Sequence, residues 1–232
     1  MKIAILSDIH GNHFALEKVL EKAIREKIDQ LIILGDFVGY YYHPELVLNL
    51  LNNWNFQAIR GNHENILNGL MNGEIDKQTI LKKYGHGHEY ALNKLTKSQI
   101  EFLIKLPTTL AVKIDDCRFK LCHGSPLDPE EYIYPDSHID SLNMCNVPNV
   151  DFVFIGHSHY QFIHRNQDSL LINVGSVGQS RLTGGLAQWA IVDTQSKSVQ
   201  LMSTPYETRQ LIKQSTQIDF DIPYLREVLI RI

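Results

Sequence analysis

An α/β fold is predicted by three features of the sequence. Short apolar runs with β-branched members recur from the first residues onward, and each ends abruptly in a polar cluster. Up to Ile59 those runs alternate with helical patterns in the order βαβαβ, which argues for a parallel sheet with right-handed crossovers. After Pro107 the pattern turns to closely spaced strands and glycine-punctuated loops.

Taken in order, Ile3-Ala4-Ile5-Leu6 reads as a buried strand that ends in Ser7-Asp8-Ile9-His10-Gly11-Asn12. Phe14, Leu16, Val19, Leu20, Ala23, Ile24 and Ile28 then keep helical spacing, with Asn12 placed to cap them. Gln30 to Leu34 is a second strand, ending in Gly35-Asp36. Pro44 opens a helix running from Glu45 to about Asn52. Phe56 to Ile59 is a third strand and leads into Arg60-Gly61-Asn62-His63-Glu64.

A more polar helical insert occupies about residues 65–106. It holds a short helix carrying Ile66, Leu67 and Leu70, then helices over Gln78–Leu95 and Ser98–Leu106, and Pro107 ends it. Leu110–Ile114 and Arg118–Cys122 form a hairpin that runs into His123-Gly124. A loop rich in Pro, Asp and Tyr covers 126–136, and Ser137–Cys145 is helical. Asp151–Ile155 is a buried strand ending in Gly156-His157-Ser158-His159. Strands follow at Gln161–His164, Leu170–Asn173, Ala187–Val192 and Val199–Ser203, and the polar segment 206–232 holds one or two helices. No repeat or linker divides the chain, so a single domain over 1–232 is expected.

The 232 residues are 44% hydrophobic and 21% charged, an ordinary globular composition with enough chain for a full core. No run approaches the ~20 apolar residues of a membrane span, and the chain starts directly with a strand, so neither membrane nor leader is expected. A net charge of −4 gives no electrostatic case for nucleic acid or an anionic membrane. Cys117, Cys122 and Cys145 lack close spacing and read as reduced core thiols of a cytoplasmic protein. Oligomeric state is left open. The 11 histidines are the unusual count, and their positions matter more than their number.

Five strand ends deliver metal-ligand types: Asp8 and His10, then Asp36, then Asn62 with His63 beside it, then His123, then His157 and His159. The carboxyl ends of strands are where open α/β sheets place ligands. An Asp-x-His turn alone is usually ordinary loop polarity, but five such ends together are not. His63 aside, the set is two Asp, one Asn and four His, without a cysteine, which excludes a zinc-finger-like site and disfavours soft metals. It exceeds one tetrahedral shell and suits two ions sharing a bridging carboxylate. Such a pair, ~3.5–4 Å apart, clamps the attacking and leaving oxygens of an in-line phosphoryl displacement and generates hydroxide near neutral pH.

Asp8-Ile9-His10, Gly35-Asp36, Gly61-Asn62-His63-Glu64, His123-Gly124 and Gly156-His157-Ser158-His159 resemble, in order, the five blocks of the calcineurin-like metallophosphoesterases. Asn173 to Ser176, followed by Val177-Gly178-Gln179, resembles that family's C-terminal block. The resemblance implies a four-layer α/β/β/α sandwich of two mixed sheets flanked by helices. It also implies a binuclear enzyme that hydrolyses small phosphate esters, phosphodiester or nucleotide-like, by in-line attack of a metal-bridging hydroxide. By the family's roles, Asp8, His10 and His159 hold the first ion, Asn62, His123 and His157 the second, and Asp36 bridges both. The ions are divalent transition metals, with manganese favoured and iron, zinc, cobalt or nickel able to fill the same shell. The same resemblance implies that Asp36, Asn62 and His63 are catalytic, His63 as general acid toward the leaving group. Glu64 either supports His63 or serves as an ordinary helix N-terminal carboxylate.

The second block departs from that of the protein phosphatases and symmetrical dinucleoside tetraphosphatases. Tyr40 stands where they carry a phosphate-binding arginine, and Gly39 where many carry an aspartate that partners the histidine. Phosphodiesters and nucleotides are therefore expected over phosphoproteins. Substrate contacts are assigned to Asn62, His63, Arg181 and Tyr40, with Arg60 a second replacement for the missing arginine. Tyr40, Tyr41, Tyr42 and His43 either stack on a base or pack a loop; three adjacent tyrosines cannot all face one way, which favours packing. His86 and His88 are read as rim of the insert, and His13, His138 and His164 as structural or solvated. Three other functions are weighed: dinucleoside polyphosphate hydrolase of the diadenosine tetraphosphate type, Ser/Thr protein phosphatase, and non-catalytic scaffold. The last should have lost ligands, and none is missing.

Overall fold

The computed structural model describes residues 1–232 and consists of two mixed five-stranded sheets packed face to face. The first contains β1 (Lys2–Leu6), β2 (Gln30–Ile33), β3 (Phe56–Ala58), β9 (Leu186–Asp193) and β10 (Ser198–Pro205), in the order β10-β9-β1-β2-β3. β1, β2 and β3 run parallel, and β9 closes antiparallel onto β1 with Ile5 opposite Ala190. The second contains β4 (Thr109–Ile114), β5 (Cys117–Cys122), β6 (Phe152–Ile155), β7 (Phe162–Arg165) and β8 (Leu170–Asn173), in the order β4-β5-β6-β8-β7. There β5, β6 and β8 are the parallel strands.

Side-chain alternation builds the layers. In β1, Ile3 and Ile5 face the second sheet and pack with Phe119, Leu121, Phe154 and Ile172, while Ala4 and Leu6 face the opposite way. That outer face is covered by α1 (His13–Arg25) and α2 (Pro44–Leu51), through Leu16, Val19, Leu20, Val47 and Leu51. Asn12 caps α1 as expected, its side chain accepting from the Ala15 N–H at 3.1 Å. On the far side, α7 (Ile139–Met144) covers Val153, Ile155 and Leu171 with Leu142, and Cys145 joins the same cluster. The result is the expected α/β/β/α sandwich. No helix is long and apolar enough to cross a membrane.

The insert comprises α3 (Asn62–Asn72), α4 (Lys77–Tyr84), α5 (Gly87–Lys94) and α6 (Lys97–Lys105). The single helix expected over Gln78–Leu95 is broken, because Gly85 ends α4 at φ +73°. A Cβ at Gly85 would press on the Asp219 carboxylate, so the break also lets the insert close on the C-terminal segment. That segment forms α8 (Arg209–Ile218), α9 (Tyr224–Glu227) and a final 3-10 turn. Ile80 and Tyr84 pack there with Leu211, Leu225 and Val228. The helix expected after His63 begins at Asn62, which puts His63 in its first turn. The two ends of the insert are tied together: Arg60 N–H donates to the Pro107 carbonyl at 2.9 Å, and the Arg60 guanidinium to the Ile104 carbonyl. Arg60 therefore serves as a stem and not, as the sequence suggested, in a phosphate clamp.

Candidate metal centre

Where the parallel strands end, the backbone bends sharply. Asp8, His10, Asp36, Tyr40, His157 and His159 all have φ between 52° and 61°. Non-glycine residues rarely occupy this region, and each one costs about 1–3 kcal/mol unless its surroundings hold it. Here the loops hold one another. Asp8 N–H donates to the Gly35 carbonyl at 3.1 Å, His10 N–H to Asp36 at 2.9 Å and Gly11 N–H to Phe37 at 2.8 Å. The His157 N–H donates to Asp8 Oδ2 at 3.0 Å, joining the two sheets.

The four imidazoles are each fixed in one tautomer. Nδ1 of His10 faces the Val38 carbonyl at 3.0 Å, that of His123 the Leu34 carbonyl at 2.7 Å, and that of His159 the Gln179 carbonyl at 2.8 Å. Nε2 of His157 faces the Glu130 carbonyl at 3.1 Å. A carbonyl only accepts, so the facing nitrogen carries the proton and the other ring nitrogen presents a lone pair. Those lone pairs converge. His10 Nε2 and His159 Nε2 are 3.1 Å apart, and Asp8 Oδ1 lies 3.1 Å from the latter. His123 Nε2 lies 3.2 Å from His157 Nδ1, 3.1 Å from Asn62 Oδ1 and 3.2 Å from Asp36 Oδ2. Asp36 Oδ2 is also 3.8 Å from His10 Nε2, so the carboxylate stands between the two groups.

Acceptors facing acceptors in a dry interior repel unless a cation lies among them. Ligands ~2.1 Å from one ion at right angles sit about 3.0 Å apart, which is the spacing seen. Asp8 Oδ1 is buried with no hydrogen-bond partner, a second sign that the donor set fits a metal. Each imidazole is oriented by a backbone carbonyl, the usual outer support of a metal-bound histidine. Burial alone would push the Asp8 and Asp36 carboxyls up, but the neighbouring imidazoles hold both below the usual carboxylate range. Burial pushes His157 and His159 down to about 4. Against burial, the Asp36 carboxylate pushes His123 up to about 10, so its Nε2 holds a proton toward Asp36 that binding of an ion displaces, freeing the lone pair.

His63 lies beside this cluster, its ring 4.7 Å from that of His10 and its backbone N–H donating to Asp36 Oδ1 at 2.9 Å. Burial holds the His63 imidazole well below its ordinary pKa. Glu64 does not touch it. The fully buried Glu64 carboxylate accepts from the backbone N–H groups of Asp36, Phe37 and Gly61 at 2.9 Å and of Val38 at 3.3 Å. It is a helix-start carboxylate that also clamps the Asp36 loop. Burial and Asp36 push it up to about 7, against donors that favour its charged form.

The tyrosine run divides. Tyr41 and Tyr42 are buried packing residues, their hydroxyls donating to Leu225 O at 3.0 Å and Asp219 Oδ2 at 2.8 Å. Tyr40 instead faces the centre, 4.7 Å from the His10 ring and 5.0 Å from that of His63. Arg181 follows the same strand ends, its N–H 3.4 Å from the His159 carbonyl. The run from Asn173 braces the loops: Asn173 donates to Gly156 O at 2.7 Å and the Ser176 hydroxyl to Asp8 O at 2.8 Å. His88, read as rim, is buried and stacks on His63. Tyr132, whose ring lies 3.9 Å from that of His157, was not foreseen; it sits in a loop with no periodicity to place it.

A family model described as the calcineurin-like phosphoesterase superfamily domain matches residues 1–197. An uncharacterised protein of Methanocaldococcus jannaschii is 29% identical over 228 residues, 90% of this chain and 89% of that one. A phosphodiesterase of the same organism is 29% identical over 198 residues, 85% of this chain and 95% of that one. The crystal structure of a metallophosphoesterase from Sphaerobacter thermophilus superposes with a TM-score of 0.78 at 25% identity, covering 98% of each chain.

Proposed function

The chain belongs to the calcineurin-like phosphoesterase superfamily and is a phosphoester hydrolase, and from that premise we propose a binuclear centre acting on small phosphodiesters or nucleotide-like esters. The observation that carries the reading is the convergence of imidazole nitrogens and carboxylates in adjoining groups: Asp8, His10 and His159 form one and Asp36, His123 and His157 another, with Asp36 and His10 also grouping with His63 between them. Asp8, His10 and His159 would hold one ion, Asn62, His123 and His157 the other, with Asp36 between them. Divalent ions there, manganese favoured, supply Lewis acidity toward phosphoryl oxygens and a water acidic enough to attack near neutral pH.

The chain's own groups do the rest. Asn62 and His63 bind the phosphoryl group from the start of α3, whose N-terminus favours negative charge. His63 stands over the leaving group and delivers its proton; the bound anion opposes the shift that burial imposes on the ring. Tyr40 shields one side from water with a neutral ring where protein phosphatases carry a cation, which supports diesters over phosphoproteins. Three free, buried thiols support a reducing, cytoplasmic location.

The test is hydrolysis of bis-p-nitrophenyl phosphate with added Mn²⁺. Asp36→Asn and His63→Ala should each lower kcat by about a hundredfold or more. Metal analysis of protein purified without chelator should find close to two transition-metal ions per chain. Near-full activity in both variants, or no bound metal, would overturn the assignment.

A further inference from the structure

Beside the metal centre lies a cleft of about 380 Å³, within the ~300–1,000 Å³ range of small-molecule sites. Three cations line it, Lys83 from the insert and Arg181 and Arg231 from the C-terminal third. None of the three is paired with a carboxylate, and no carboxylate lines the cleft. Elsewhere on the surface, cations such as Lys18 and Lys94 lie 2.6 and 2.9 Å from a glutamate. Arg181 Nε is buried without a partner, and Arg231 is held close by donating to the Arg181 carbonyl at 2.9 Å. An unpaired cationic cluster in a chain of net charge −4 marks the place of an anion.

Four tyrosines form the remaining walls: Tyr40, Tyr84, Tyr132 and Tyr224. Tyr40 touches the His10 side of the centre and Tyr132 the His157 side, while Tyr84 lies 4.8 Å from His63, the group beside the leaving oxygen. The cleft therefore continues the path of the leaving group, and its walls suit a flat ring. We propose that this cleft is a subsite for a second phosphate and its attached base, so that the preferred substrate is a nucleotide of two or more phosphates: water adds to the phosphorus at the centre, the P–O bond to the second phosphate breaks, and that phosphate leaves with the base. This rests on the phosphoesterase reading above, and adds to it the chemistry of the leaving side.

The probes are ADP, AMP and pyrophosphate, with affinities measured by calorimetry on the metal-loaded protein. ADP should bind about tenfold more tightly than AMP, because one phosphate occupies the centre and the other the cleft. It should also exceed pyrophosphate, which lacks the ring. The double variant Lys83→Ala/Arg231→Ala should bring ADP down to within about threefold of AMP, and Lys83→Arg/Arg231→Lys should keep the advantage. Equal binding of ADP and AMP, an equal loss for both in the double variant, or pyrophosphate binding as tightly as ADP would overturn the subsite. If bis-p-nitrophenyl phosphate is still cleaved by the same preparation, that failure leaves the phosphoesterase assignment standing. If it is not, the assignment itself has failed.

Discussion

The imidazoles of His63 and His88 lie face to face, 4.9 Å between centroids and 8° from parallel. Neither His88 nitrogen, nor His63 Nδ1, has a hydrogen-bond partner. On the other side of Nδ1 is Gly39, where even a Cβ would collide with the ring. The position that carries a partnering aspartate in many protein phosphatases here leaves only room for the ring itself. His63 is thus aimed by packing, between His88, Tyr84 and the rings of Tyr40 and His10. His88→Ala should lower kcat for bis-p-nitrophenyl phosphate about tenfold with little change in KM, and His88→Phe should recover most of it. A loss that Phe does not recover would mean that a His88 nitrogen takes part.

Glu64 should matter to stability as much as to activity. Its carboxylate satisfies four backbone N–H groups that have no water to turn to. Glu64→Ala should destabilise by roughly 3 kcal/mol or more, at about 1–3 kcal/mol for a stranded buried group, lowering Tm by about 10 °C. Activity should fall with it, since the Asp36 loop loses its clamp. Glu64→Gln keeps the acceptor oxygen and should cost less. Equal melting temperatures for Glu64→Ala and the parent protein would refute this role.

The strand ends could be read from the sequence because the signal is local. An apolar run ends, a residue of metal-ligand type follows within three positions, and parallel topology gathers the ends of β1, β2, β3, β5 and β6. Nothing local says which helix docks where. His88, Lys83 and Arg231 reach the centre and its cleft only because Gly85 breaks the insert and lets it meet the C-terminal segment. The left-handed backbone at Asp8, His10, Asp36, His157 and His159 was equally hidden, since neither Asp nor His announces it as glycine would. Arg60 looked available beside Asn62 and His63 until the Ile104 carbonyl claimed it.

Acid should weaken the fold through His88. Burial pushes its imidazole down to about 4, with His10 adding to the effect and Asp36 opposing it. The unfolded chain, with a pKa near 6.5, therefore binds the proton first. This contribution is complete above about pH 6.5 and is lost as pH falls toward 4, a change on the order of 3 kcal/mol. Urea titrations at pH 7 and pH 4.5 should show His88→Phe gaining on the parent protein as pH falls. A gap between the two that does not move with pH would count against a neutral buried His88.

Metal should bind as a folding ligand. Mn²⁺ at a hundred times its Kd should stabilise by about 2.7 kcal/mol per site, or roughly 5–10 °C in Tm. Excess EDTA should reverse the shift, and Asp8→Asn should shrink it by removing one ligand charge. A melting temperature insensitive to both Mn²⁺ and EDTA would show that the converging lone pairs hold no ion.

The hydrogen bond from Arg60 to Pro107 closes the helical insert at its neck. Because the entropy of closing such a loop grows only with the logarithm of its length, what lies beyond the neck can lengthen, shorten or be rewritten at little expense to the sandwich. The insert is in that sense a cassette. It carries Lys83 and Tyr84 to one wall of the cleft, while six of the seven candidate ligand residues stay on the sandwich and only Asn62 lies at the insert's first turn. Specificity can drift along one segment of chain while the candidate metal centre keeps its place.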